Sequence, residues 1–225
     1  MQLNIAQSNE DALHEFLSRH SSKCINHPET IVRLENKATQ LRLAFQAGFT
    51  IPETLISASY ERVKEFTASH KEVVIKNLRP QGGQPTGTFL FNDSLLNKEN
   101  CEMSFAIYQR KIEGRYHYRI VVLGHDIYAF RYESDNVDSR LDARHAAEYV
   151  EVNDSMRHTF SEFMTLAQLE MGVFDFKESD EGEWYFLEVN QQGAFAYLDA
   201  LTGFPILHTF AEFLHGRCQE KERCP

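Results

Sequence analysis

Apolar positions along the chain switch between two rhythms. Ile31, Leu34, Ala38, Leu41 and Phe45 recur three and four residues apart, which predicts one long amphipathic helix. Asn26 stands where it can cap that helix, Pro28 falls near its first turn, and Gly48 supplies a stop. A short, mostly polar helix is expected before it, over 8–20. Ile51 to Ile56 reads as extended chain, and Ser57 or Ser59 caps a further helix running to about His70. Glu72 to Lys76 is short and β-branched, the pattern of a buried strand. Phe105 to Lys111, Tyr118 to Leu123 and Ile127 to Tyr132 predict three more strands, the last two a hairpin across Gly124-His125-Asp126. Ser155 to Met171 carries Phe160, Phe163, Met164, Ala167 and Met171 on one helical stripe. A second hairpin joins Val173–Lys177 to Trp184–Asn190 around Glu181-Gly182, and Pro205 to His215 is helical. A loop rich in glycine lies at Arg79–Thr88 and a polar one at Asp135–Arg144. With no internal repeat, this mixture of helices and strands predicts an α+β or α/β fold.

Composition narrows the function. The 225 residues are 42% hydrophobic and 25% charged, the profile of a globular chain with enough length for a sizeable core. Thirty-three acidic against 23 basic side chains give a formal charge of −10, which argues against binding nucleic acid through overall charge. No apolar run approaches the ~20 residues of a membrane span, and Met1–Glu10 has neither the basic start nor the apolar stretch of a secretory signal. Cys24, Cys101, Cys218 and Cys224 are scattered without a CxxC pair, so free thiols in a reducing cytoplasm are expected. No HExxH occurs.

Candidate chemistry concentrates in Asp175–Asn190. With a two-residue turn at Glu181-Gly182, Asp175 lies opposite Glu188; a four-residue loop keeps the two on one face. Asn190 shares that face, while Leu187 and Val189 point the other way with Phe174 and Phe176. Facing carboxylates repel unless protonated or bridged by a cation. Asp175, Glu188 and Asn190 are therefore an all-oxygen donor set suited to Mg²⁺. Acids on a solvated hairpin are the commoner arrangement, but Trp184, Phe186, Leu187 and Val189 make this strand a poor match for it. Lys76 leaves a buried strand just before the glycine-rich loop, as a phosphate contact would, although neither a Walker A motif nor GxGxxG is present. Arg119 in a strand, Arg144 in the polar loop and Lys37 within the long helix add cations; each alone reads as a surface charge.

The order of these segments resembles the ATP-grasp ligases, particularly the maturases of ribosomal peptides of the graspetide or microviridin type. The matching stretches begin with Asn36-Lys37, Gln40-Leu41-Arg42-Leu43-Ala44, Gly48 to Leu55 and Val74-Ile75-Lys76. Tyr108-Gln109 and Tyr118-Arg119 follow, then Asp175, Phe186-Leu187-Glu188-Val189-Asn190-Gln191-Gln192-Gly193 and Leu201 to Pro205. The resemblance implies an α+β ATP-grasp fold whose two lobes, 26–107 and 108–225, grip ATP between them. Residues 1–25 then stand in place of a larger N-terminal domain. It implies that Lys37 and Lys76 bind phosphates and that a hinge from Gln109 through Lys111 to Ile112 reads the base. Asp175, Glu188 and Asn190 would hold Mg²⁺, with Arg119 and Arg144 on the γ-phosphate and acyl phosphate. His117-Tyr118, where such proteins often carry an acid, and Ala194-Phe195 after the Asn190–Gly193 motif depart from the pattern.

The function expected is an Mg²⁺- and ATP-dependent carboxylate–amine or carboxylate–hydroxyl ligase of the cytoplasm. Its substrate would be an acidic precursor peptide or a small carboxylate, with no nucleic acid or membrane partner and with assembly as a homodimer or with a partner chain. The rival expectations are a nucleotide-binding module that needs a partner for activity, and a ligase for a small amino acid or metabolite.

Overall fold

Asn36 divides the first apolar stripe into two helices. In a computed structural model describing residues 2–79, 87–92, 94, 97–134, 136 and 146–223, α1 (Gln2–Arg19) leads to α2 (Pro28–Leu34) and α3 (Lys37–Ala47). The side chain of Asn36 accepts from Ala38 N at 2.9 Å, making it the N-cap of α3 rather than a residue inside one helix. Lys37 is thereby the first residue of α3, not an interior one. Leu34 and Leu41 are buried as the spacing implies, but the stripe loses register at the break and Phe45 is 70% exposed. Gly48 closes α3 in the left-handed conformation at φ 99°.

Asn26 does not cap α2; His27 does, and Pro28 takes the first helical position. Asn26 is fully buried and acts as a clamp. Its Nδ2 donates to the carbonyls of Met171 and Gln191 at 2.9 and 3.0 Å. Its Oδ1 accepts from the N–H groups of Glu170 and Met171 at 2.6 and 3.0 Å. One amide thus ties two distant pieces of backbone to each other.

A four-stranded antiparallel sheet comprises β1 (Thr54–Ser57), β2 (Val73–Lys76), β3 (Phe89–Leu90) and β4 (Ala106–Arg110), in the order β1-β4-β2-β3. Between its strands come α4 (Tyr60–Ser69), capped by Ser59, and α5 (Lys98–Met103). Val63, Val73, Cys101 and Tyr108 form the small core beneath them. The boundary expected between 107 and 108 falls inside β4.

A second sheet holds β5 (Tyr116–Leu123), β6 (Asp126–Glu133), β7 (Ala147–Val150), β8 (Met171–Glu178) and β9 (Trp184–Asn190), ordered β7-β6-β5-β8-β9. The helix α6 (Asp154–Ala167) ends at Gln168, left-handed at φ 56°, so Met171 opens β8 instead of extending the helical stripe. One face of the sheet packs on α3 and α6 through Phe49, Phe160, Phe163, Phe174, Phe176 and Phe186. The other face carries Val121, Phe130 and Val173 against α7 (Tyr197–Thr202) and α8 (Ile206–Arg223). With both faces covered, β5 and β8 read as nearly continuous apolar runs, and the few charged residues in them stand out.

Asn26→Ala removes all four hydrogen bonds of the clamp and leaves buried backbone groups unpaired. It is expected to lower stability by about 2–4 kcal/mol, read as a fall in the urea midpoint at unchanged m-value.

Candidate active site

The site grows from the β8–β9 hairpin. Glu178 pairs with Trp184, so the connection is a five-residue loop, not the two- or four-residue loop expected. An odd loop by itself would set Asp175 against Leu187. A bulge restores the pairing: Phe176 faces Phe186, but Asp175 faces Glu188 and Val173 faces Asn190. Leu187 is the extra residue. It therefore turns into a cleft beside Glu188, while Phe186 takes the core place expected for it.

Two carboxylates now oppose each other across a ladder, and each is met by a cation. Arg119 lies directly opposite Asp175 in the β5–β8 register. Its Nη1 donates to both carboxylate oxygens, at 2.7 and 2.8 Å, and its Nη2 donates to the Ala194 carbonyl at 2.8 Å. Burial opposes the guanidinium's charge, but chiefly the Asp175 carboxylate outweighs it, so the Arg119 pKa lies above its usual value. Asn190 Nδ2 donates to Asp175 at 3.2 Å. Glu188 forms an ion pair with Lys37, delivered from the first turn of α3.

Beside these groups lies a cleft with a volume of about 190 Å³, walled by both sheets. From the small sheet come Lys76, whose ammonium donates to Gln109 Oε1 at 2.9 Å, and Gln109, whose amide donates to Thr54 Oγ1 at 2.9 Å. Lys111 lines the cleft on the segment joining the sheets and pairs with Glu72 at 2.7 Å, a hydrogen bond that raises its pKa. Ile112, Val74 and Leu187 supply apolar wall. Of the residues expected from the sequence, Lys76, Gln109, Lys111, Ile112, Asp175 and Glu188 line the cleft. Lys37, Arg119 and Asn190 join it through Glu188 and Asp175. Arg144 lies outside the described residues, as do 80–86 of the glycine-rich loop.

The donor set suits a small hard cation. Asp175, Glu188 and Asn190 offer oxygen ligands, and the two carboxylates already draw positive charge to themselves. Among the described residues no group of three His, Cys, Asp or Glu converges, so a metal here depends on the Asn190 amide and on oxygens from solvent or ligand. A larger hollow, about 860 Å³, lies between α6, α8 and the β5–β6 turn, but none of these candidate residues lines it.

Solved structures share this arrangement of elements. A RiPP-associated ATP-grasp ligase from Chryseobacterium gregarium, in complex with ADP and a leader and core peptide, superposes with a TM-score of 0.77 at 26% identity, over 88% of this chain and 65% of that one. The chain has the ATP-grasp fold. The macrocyclase MdnC from Microcystis aeruginosa, bound with precursor peptide MdnA, gives 0.81 at 23% identity, over 96% and 72%. The ATP-grasp ligase PsnB, complexed with a minimal-precursor variant, Mg and ADP, gives 0.72 at 22%, over 85% and 61%. The chain thus spans less than two thirds of the C. gregarium ligase and of PsnB in that complex. No protein-family model and no curated protein matches the sequence. Among the described residues no helix is long and apolar enough to cross a membrane.

Several ATP-grasp cleft residues escape sequence reasoning. Leu187 was hidden by the bulge. His117 and Lys177, adjacent at 2.8 Å, line the cleft from facing positions of β5 and β8; polar residues in otherwise apolar strands were the available signal. Gln40 is buried on α3 and imitates a strand: its amide accepts from Val189 N at 2.9 Å and donates to Val189 O at 3.0 Å. That grip lies between Glu188 and Asn190 and holds both in place.

Gln40→Leu keeps the side-chain volume but leaves both Val189 groups unpaired. It is expected to cost about 2–3 kcal/mol of stability and to speed hydrogen exchange at Val189 more than at Phe174, its neighbour across the ladder.

Proposed function

We propose that the chain is an Mg²⁺- and ATP-dependent carboxylate ligase that forms ester or amide cross-links in an acidic precursor peptide. The observation that carries this reading is the facing pair Asp175–Glu188, with Asn190 alongside and Lys37, Lys76 and Arg119 converging from three different elements. Anionic phosphates and a divalent cation together fit such a set better than either a neutral metabolite or a polyanion. The solved relatives bound to ADP, Mg and leader, core or precursor peptides support the choice of ligand classes.

The two sheets serve as the lobes, about 26–107 and 108–225, with β4 completing the first. Ile112, Val74 and Leu187 offer apolar faces to a planar base, and Gln109 to Ile112 lie beside it as the hinge. Lys76 and Lys37 neutralise phosphates. Asp175, Glu188 and Asn190 hold Mg²⁺, which supplies charge to the distal phosphates when bound. Arg119, fixed by Asp175 and the Ala194 carbonyl, presents a buried guanidinium where charge gathers as a substrate carboxylate attacks the γ-phosphorus. The products of that step are an acyl phosphate and ADP; an incoming amine or hydroxyl then displaces phosphate. Arg144 is assigned to the same acyl phosphate by resemblance. Cys101 and Cys218 as free thiols suit a cytoplasmic setting. The exposed Leu13 and Phe16 of α1 suit contact with a second copy or a partner chain.

Incubation with ATP, Mg²⁺ and an acidic precursor peptide is expected to give ADP and phosphate in step with loss of water from the peptide, seen by mass spectrometry. Arg119→Ala is expected to lower turnover by roughly 10²–10³ while changing nucleotide affinity much less. Peptide-dependent AMP and pyrophosphate would reject the acyl-phosphate route.

A further inference from the structure

Each of the two facing carboxylates of the site already has a cation against it. Lys37 is ion-paired with Glu188, and both side chains are largely buried, at 17% and 15% exposure. Arg119 is ion-paired with Asp175, at 8% and 15% exposure. Among the described residues, one cation thus faces each carboxylate. A divalent cation arriving alone meets carboxylates already engaged, and must separate Lys37 from Glu188 without offering the lysine anything in return. A nucleotide arriving alone draws Lys37 toward its phosphates, but that release would leave Glu188 facing Asp175 without its cation, and a buried charge stripped of its partner is costly. When both arrive, Glu188 and Lys37 each exchange one partner for another of the same sign: the carboxylate passes to the metal and the ammonium to the phosphates.

We propose that Lys37 is a stand-in for the metal at Glu188, and that its exchange from carboxylate to phosphate makes metal and nucleotide bind as a coupled pair. This rests on the nucleotide reading of the cleft. It adds that Lys37 sets the cooperativity: the ion pair discourages metal without nucleotide. The length of the lysine side chain and its place in the first turn of α3 allow the ammonium to turn without moving the helix. The guanidinium of Arg119, also tied to the Ala194 carbonyl, has less freedom. Lys37 is therefore the member that exchanges, and Arg119 the one that stays.

The test is calorimetric titration of the full chain with Mg²⁺ alone, ADP in EDTA, and Mg²⁺ at saturating ADP, in wild type, Lys37→Gln and Lys37→Arg. Wild type is expected to bind Mg²⁺ at least about tenfold more tightly with ADP present than without. In Lys37→Gln, Mg²⁺ alone is expected to bind about tenfold more tightly than in wild type, and the gain from ADP to shrink by a similar factor. Lys37→Arg keeps the cation and is expected to keep the wild-type pattern. Thermal unfolding gives a second readout: Lys37→Gln is expected to melt lower in EDTA and to recover with Mg²⁺ in the absence of nucleotide. Mg²⁺ affinity in Lys37→Gln equal to or below wild type, or an unchanged gain from ADP, would overturn the exchange while leaving the nucleotide site standing. Failure of wild type to bind Mg²⁺ with ADP would overturn the nucleotide reading itself, and the exchange with it.

Discussion

Two like charges cannot be set against each other in a largely buried ladder without help, and the pairing of Asp175 with Glu188 imposes that condition on this fold. Much of the surrounding structure serves it. Arg119 comes from the adjacent strand, directly opposite Asp175, and Lys37 comes from the first turn of α3. The Asn36 cap decides where that turn begins, and hence where Lys37 can reach. Gln40, one turn further along α3, grips the edge strand between Glu188 and Asn190. Sequence neighbours on one short helix therefore supply both the counter-charge and the positioning of the strand that needs it.

The large aromatic core has the complementary role. Phe49, Phe174, Phe176 and Phe186 meet edge-on or tilted with Phe160 and Phe163 of α6, which fixes the back of the sheet that bears the charges on its front. A sheet whose back is packed in this way gives its front residues little freedom, the condition under which preorganised charge is effective. The smaller sheet rests on a much smaller core and brings Lys76 and Gln109 to the cleft.

Fold class and much of the cleft lining were legible because they depend on local rules. Alternation along Trp184–Asn190 put Glu188 and Asn190 on one face, and glycine at 48 ended a helix. What escaped depended on distant partners or on one-residue irregularities. Asn26 looked like a helix cap because asparagine often is one; only the fold reveals the backbone of Met171 and Gln191 against its amide. The stripe from Ile31 to Phe45 kept helical spacing across a break, since spacing does not register a cap in mid-pattern. The facing of Asp175 and Glu188 was anticipated from an even-numbered turn, yet it arises from an odd loop corrected by a bulge. Two irregularities cancel, so the pairing came out as expected while the place of Leu187 did not.

The most direct test of the paired carboxylates as a metal site is where a cation sits. Crystals of the full chain grown with Mn²⁺ and a non-hydrolysable ATP analogue allow the metal to be located by its anomalous scattering. A peak is expected within coordination distance of carboxylate oxygens of Asp175 and Glu188 and of Asn190 Oδ1, with the analogue's phosphates completing its shell and its base against Ile112 and Leu187. A nucleotide and metal bound elsewhere, such as the hollow between α6 and α8, with the Lys37–Glu188 pair still closed, would contradict it.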